Sequence, residues 1–270
     1  MSGMEQYPQE LRDYEPVQPR GGIDWRGAAR KVWAPIAAIG AFLAKFGAVL
    51  FKFKFLFSMI ISFGAYLLLG PWWFALGLVG LLFVHEMGHV LEAKRQGLPV
   101  SVPVFIPFLG AMITMKEMPR DAWREARLAI AGPILGSLGA LVLYGVGVAY
   151  DSHDLKALAF LGFFLNLFNL LPVVPLDGGR VTASLHPVLW LLGFVGLLAL
   201  VVYRPNPILI IILLLAGSEL WRRWQLRGHP QMSSYYQVEP RRRLLMGVLY
   251  FGLAALLVFC MHATHVPHAF

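Results

Sequence analysis

From residue 33 onward the chain alternates between long apolar runs and short polar connections. The clearest runs lie at roughly 55–70, 72–95, 127–149, 156–171, 187–203, 207–221 and 244–261. A helix needs about 20 apolar residues to cross a bilayer, and each run is near that length, several being short. The pattern predicts an all-α polytopic membrane protein with six to seven transmembrane helices. An earlier run, Trp33–Phe51, is interrupted by Lys45 and followed by Lys52 and Lys54. It reads as an interfacial or extra helix over 32–54. Residues 1–31 are polar, with Pro8, Pro16 and Pro19 among charges of both signs and no apolar segment at the start. They read as a disordered cytoplasmic tail and not as a signal peptide.

One stretch breaks the helical pattern. Residues 98–116 read LPVSVPVFIPFLGAMITMK, where Pro99, Pro103 and Pro107 forbid a regular helix. Val100, Val102, Val104 and Ile106 alternate, and Gly110 allows a turn. The expectation is a β-hairpin-like loop dipping into the membrane. The organisation that follows is a core at 55–221, a basic cytoplasmic loop at 222–243, and a further transmembrane helix with its tail at 244–270.

Composition supports this and removes rivals. Apolar residues make up 58% and charged residues 14%, with a mean hydropathy of +0.64. A soluble globule or a disordered chain would be far more polar. The net charge is +8. In a membrane protein such a surplus marks loops retained on the cytoplasmic side, so no nucleic-acid partner is expected. Lys94, Arg95, Lys116, Arg120, Arg124 and Arg127 fall in one connection, and Arg222, Arg223, Arg227 and Arg241–Arg243 in another. The intervening connections carry little charge. That places the two basic connections in the cytoplasm and the C-terminus outside in a multi-pass protein, and the short loops without targeting signals suggest a prokaryotic plasma membrane. A single cysteine, Cys260, excludes an internal disulfide and a cysteine-based metal cage.

The strongest chemical signal is HEMGH at His85–His89. Positions i and i+4 share a helix face, so both imidazoles reach one ion, and Glu86 stands beside them as a base toward water activated there. Two imidazoles with a carboxylate suit zinc. His85 precedes Arg95 by ten residues, which puts it about 15 Å from the helix end at ~1.5 Å per residue. Ionisable groups at that depth are costly without a function. Two histidines leave zinc short of ligands. Asp177, in LLPVVPLDGGR (Leu170–Arg180), is the candidate third, although a plain turn aspartate has the same local pattern. It follows His89 by 88 residues (177 − 89), so any contact is tertiary. Asn166 reads as an interhelical hydrogen bond, Glu219 as a partner of Arg222 and Arg223, and His186 as structural. His262, His265 and His268 read as a frayed tail.

HEMGH together with NLLPVVPLDGG (Asn169–Gly179), and AGP (Ala131–Pro133) between them, resembles the site-2 protease family of intramembrane zinc metalloproteases. The likeness covers roughly residues 55–221, in a minimal form without the PDZ or CBS domains of many relatives. It implies one zinc per chain held by His85, His89 and Asp177, with Glu86 as general base and acid. It implies that Asn169 helps hold the substrate backbone or the developing oxyanion. It further implies a transmembrane protein as substrate, cut within or near its membrane helix inside the lipid bilayer, and residues 98–116 as a hairpin that adds a strand to it. The alternatives are an intramembrane metal-ion transporter and a non-catalytic binder of membrane proteins. A transit site needs no base beside its first ligand, and a binder has no need of Glu86.

Overall fold

The computed structural model describes residues 31, 33–41, 45, 53–108, 110–112, 117, 119–186, 188–225 and 234–264. The chain divides into two units, 1–53 and 54–270. In the first unit the described residues 31, 33–41 and 45 are helical. Of the expected tail at 1–31, residues 1–30 fall outside the described residues and Lys31 is helical; the loop residues 113–116, His265 and His268 also fall outside them.

The second unit is built of helices. They are α1 (Lys54–Tyr66), α2 (Trp72–Arg95), α3 (Ala122–Ala149), α4 (His153–Asn169), the short α5 (Asp177–Thr182), α6 (Val188–Tyr203), α7 (Pro207–Gln225) and α8 (Pro240–Thr264). Between α2 and α3 lie β1 (Val104–Ile106) and β2 (Gly110–Met112). All seven apolar runs form helices. Among the described residues α2, α3 and α8 are long and apolar enough to cross a membrane, while α1 and α6 are apolar but shorter. The proline-interrupted stretch forms an antiparallel pair with Val104 opposite Met112 and Ile106 opposite Gly110.

Local chemistry sets the helix ends. α2 starts after Pro71, whose φ of −65° suits a helix entry. It stops at Gly97, which takes φ +72°, a conformation open to glycine. There Leu98 N–H bonds the Ala93 carbonyl at 2.9 Å and Gly97 N–H bonds Lys94 at 3.0 Å, closing the last turn. α3 begins at 122, five residues before its apolar run (127 − 122), because the Asp121 carboxylate accepts the Arg124 N–H at 2.8 Å. Ser152 caps α4 in the same way through Leu155 N–H.

The main core lies where α3, α4 and α8 meet. Ala126, Ala129 and Ala140 of α3, Ala159 and Phe163 of α4, and Met246, Tyr250 and Leu257 of α8 are buried there. Small residues let the backbones approach, which is how helices pack where lipid removes the hydrophobic drive. Gly88 of α2 lies against the Ala131 carbonyl of α3, with no room for a Cβ. The C-terminal helix, which has no assignable role in the sequence, is thus part of the core. Its Tyr250 hydroxyl donates to the Leu170 carbonyl, at the turn that leads into α5.

Candidate metal centre

Two elements converge on one buried spot. α2 supplies His85 and His89 one turn apart, and α5 supplies Asp177 at its first residue. The turn before α5 is built by Pro172 and Pro175, which stop α4 from continuing. Gly178 and Gly179 then pack onto the backbone of Leu170–Val174, where a Cβ on Gly178 would strike the Leu170 and Leu171 carbonyls. The fold-back brings Asp177 Oδ2 to 3.1 Å from His85 Nε2 and 3.2 Å from His89 Nε2. The two Nε2 atoms are themselves 3.2 Å apart. Gly132 of α3 closes the far side: a Cβ there would overlap the His89 ring.

Hydrogen bonds on the outer ring nitrogens decide what the inner ones can do. His89 Nδ1 lies 2.8 Å from the Leu128 carbonyl, which only accepts, so Nδ1 carries the proton. The Asn166 amide N–H donates to the Gly162 carbonyl at 2.8 Å, which turns its Oδ1 toward His85 Nδ1 at 2.9 Å. His85 Nδ1 therefore donates as well. In the neutral rings both Nε2 atoms are then lone pairs facing a carboxylate oxygen. Three acceptors within this distance repel one another unless a cation lies among them. The ligand atoms of His85, His89 and Asp177 all lie within 4.8 Å of one another, and the donor set of two imidazoles and one carboxylate fits a metal ion. Such outer partners fix ring orientation and raise ligand basicity.

Glu86 is buried beside the pair and its carboxylate lies within electrostatic reach of both histidines and Asp177. It is not one of the three converging groups. Asn169 closes α4, and the hydrogen bond to the cluster comes from Asn166, one turn earlier. Asn166 is an interhelical hydrogen bond, as its sequence context suggests, but the partner is a candidate ligand. The available signal was an amide in an apolar run, and nothing local tells which of two asparagines faces α2. Replacing Asn166 by leucine is expected to weaken zinc affinity by roughly 10–100-fold, measured by competition with a chelating dye. Unchanged affinity would mean that the amide does not orient His85.

Beyond the cluster, polar pairs gather at the basic ends of the helices. Arg127 meets buried Glu92 at 2.6 Å. Glu219 pairs with Arg222 and Arg223 at 2.8 and 2.7 Å, as the spacing predicts. Glu125 is held by Arg180 Nε at 3.3 Å and by the Tyr235 hydroxyl at 2.7 Å. Burial and then the Glu125 charge push the Tyr235 phenol well above its ordinary range, so it stays a donor. Arg180 ends the Leu170–Arg180 segment, but no local spacing marks its pairing with Glu125, nor that of Tyr235.

Residues 73–155 match the model of Peptidase family M50. Zinc metalloprotease MJ0392 of Methanocaldococcus jannaschii is 33% identical over 114 residues, which cover 39% of this chain and 33% of that protein. Putative zinc metalloprotease sll0528 of Synechocystis is 34% identical over 125 residues, 43% of this chain and 32% of the relative. Putative zinc metalloprotease Rip3 of Mycobacterium tuberculosis is 31% identical over 118 residues, 41% of this chain and 30% of the relative. The matched stretch thus spans about a third of the length of these relatives. A solved structure, Site-2 Protease from Methanocaldococcus jannaschii, aligns over 81% of this chain and 91% of that one, with 22% identity and a TM-score of 0.40.

Proposed function

Because residues 73–155 match Peptidase family M50, we propose that this chain is a zinc-dependent intramembrane endopeptidase of the site-2 protease kind. Its substrate is the membrane helix of another protein. The observation that carries the reading is the convergence of two bare imidazole nitrogens and the Asp177 carboxylate, with Glu86 beside them, on helix α2, which has the length and composition of a membrane span.

His85, His89 and Asp177 hold the ion. A zinc ion in that place supplies Lewis acidity toward a peptide carbonyl and toward water. Glu86 takes the proton from the attacking water and returns it to the leaving amine. Asn166 and the Leu128 carbonyl hold the two rings in register while charge develops. Asn169, at the end of α4, steadies the substrate backbone. A helical substrate hides its carbonyls in the i→i−4 ladder, so it must open locally before attack. The β1–β2 pair, lying in the membrane, offers backbone groups to an opened strand. The membrane in question is a prokaryotic plasma membrane, with six to seven spans and the basic loops on the cytoplasmic side.

The test is cleavage of a panel of single-span membrane proteins by the chain in detergent, with products identified by mass spectrometry. Cutting within or near the span is expected, lost on chelation and restored by zinc. Ion uptake into proteoliposomes without any cleavage would replace this reading with that of a transporter.

A further inference from the structure

Arg180 lies three residues after Asp177, on the same short helix α5. Its Nε donates to Glu125 of α3, and Glu125 is fixed from its other oxygen by Tyr235, in the connection between α7 and α8. One terminal nitrogen of the guanidinium is buried and has no hydrogen-bond partner among the described residues. Buried donors are nearly always satisfied, so an open one beside a candidate catalytic centre calls for an acceptor. The group therefore has its Nε clamped on Glu125 and a terminal nitrogen open, three residues from Asp177.

We propose that Arg180 is a substrate-positioning residue, whose free terminal N–H donates to a backbone carbonyl of the substrate beside the bond being cut. The inference rests on the peptidase reading. An opened substrate helix presents carbonyls that have lost their N–H partners in a medium with little water. A charged donor is the stronger kind of partner for such an oxygen. The fork geometry matters: a guanidinium donates from Nε to Glu125 and keeps a terminal nitrogen for a second acceptor, which a lysine cannot reproduce. Tyr235 and Glu125 together keep the guanidinium in place.

The experiment uses the zinc-loaded full chain in detergent and two probes. Acetohydroxamate reports the metal alone. A leucyl dipeptide hydroxamate reports the metal together with the adjoining backbone. Binding of both is measured for wild type, Arg180→Gln and Arg180→Lys, with zinc content alongside. The dipeptide probe is expected to bind roughly 10–100-fold more weakly to Arg180→Gln, and acetohydroxamate equally well to all three. Arg180→Lys, which retains a cation for Glu125, is expected to show the same selective loss to a lesser degree, and it carries the test alone if Arg180→Gln does not fold. Equal weakening of both probes would show that Arg180 only supports the metal ligands, and no weakening of either would show no role. Both results overturn the proposal. A wild-type protein that binds both probes but cuts no membrane substrate would sink the peptidase reading, while the probe comparison would still decide the role of Arg180.

Discussion

Glu86→Gln is expected to abolish cleavage while leaving zinc at one per chain. The substitution keeps the size and the hydrogen-bonding shape of the side chain, so the packing around this buried position on α2 changes little. What is lost is the capacity to take up a proton. General acid–base catalysis contributes about 10²–10⁴ in rate, and a residue that serves both proton transfers sits at the upper end. Zinc stays because Glu86 lies outside the three converging ligand groups. The measurement is single-turnover cleavage of one membrane substrate with zinc quantified on the same preparation. A variant that keeps more than about a tenth of the wild-type rate would remove Glu86 from the chemistry, given the size of the effect a general base contributes. A variant that loses its zinc would make Glu86 a ligand.

Asp177→Ala is expected to empty the site. The carboxylate is the only anionic member of the cluster, 3.1 and 3.2 Å from the two imidazole nitrogens. Without it, two neutral nitrogens face each other across a buried gap and the remaining pair of ligands carries no charge of its own. The loss should exceed the roughly 10–100-fold typical of removing an outer-sphere partner. Zinc per chain after dialysis against a mild chelator should fall far below one, and activity with it. Helical content should be retained, because α5 is anchored by Gly178 and Gly179 on the preceding turn and by the Trp190 indole N–H on the Gly179 carbonyl at 2.6 Å. Full zinc occupancy in this variant would mean that the third ligand lies elsewhere. The comparison with Asn166→Leu then separates a ligand from its orienting partner: one should empty the site, the other should weaken it.

The apolar runs and the HEMGH motif were legible in the amino-acid order because their physics is local. A helix repeats every 3.6 residues, so His85 and His89 share a face whatever surrounds them. The prolines of Leu170–Arg180 and the glycines after Asp177 marked a turn for the same reason. The start of α3 was less legible. Arg124 and Arg127 read as charges of the basic connection, yet the Asp121 cap draws them, with Glu125, into the first turns, where each finds a partner. Two long-range relations could not be read from the order. The structure chooses Asn166 over Asn169 as the partner of His85, because only the rotation of α4 against α2 decides which amide faces the ring. It also makes α8 part of the core and ties that helix, through Tyr250, to the turn before Asp177.

The sequence by itself determined the apolar helices and two of the three convergent candidate ligands, since periodicity and spacing act over a few residues. Only the tertiary structure decided the rest. The arrival of Asp177 across 88 residues, the ring tautomers set by Leu128 and Asn166, and the clamp of Tyr235 and Glu125 on Arg180 all depend on backbones packed closely enough to touch. That closeness comes from small residues at helix crossings, such as Gly88 on Ala131 and Gly132 on His89, whose partners no local pattern names.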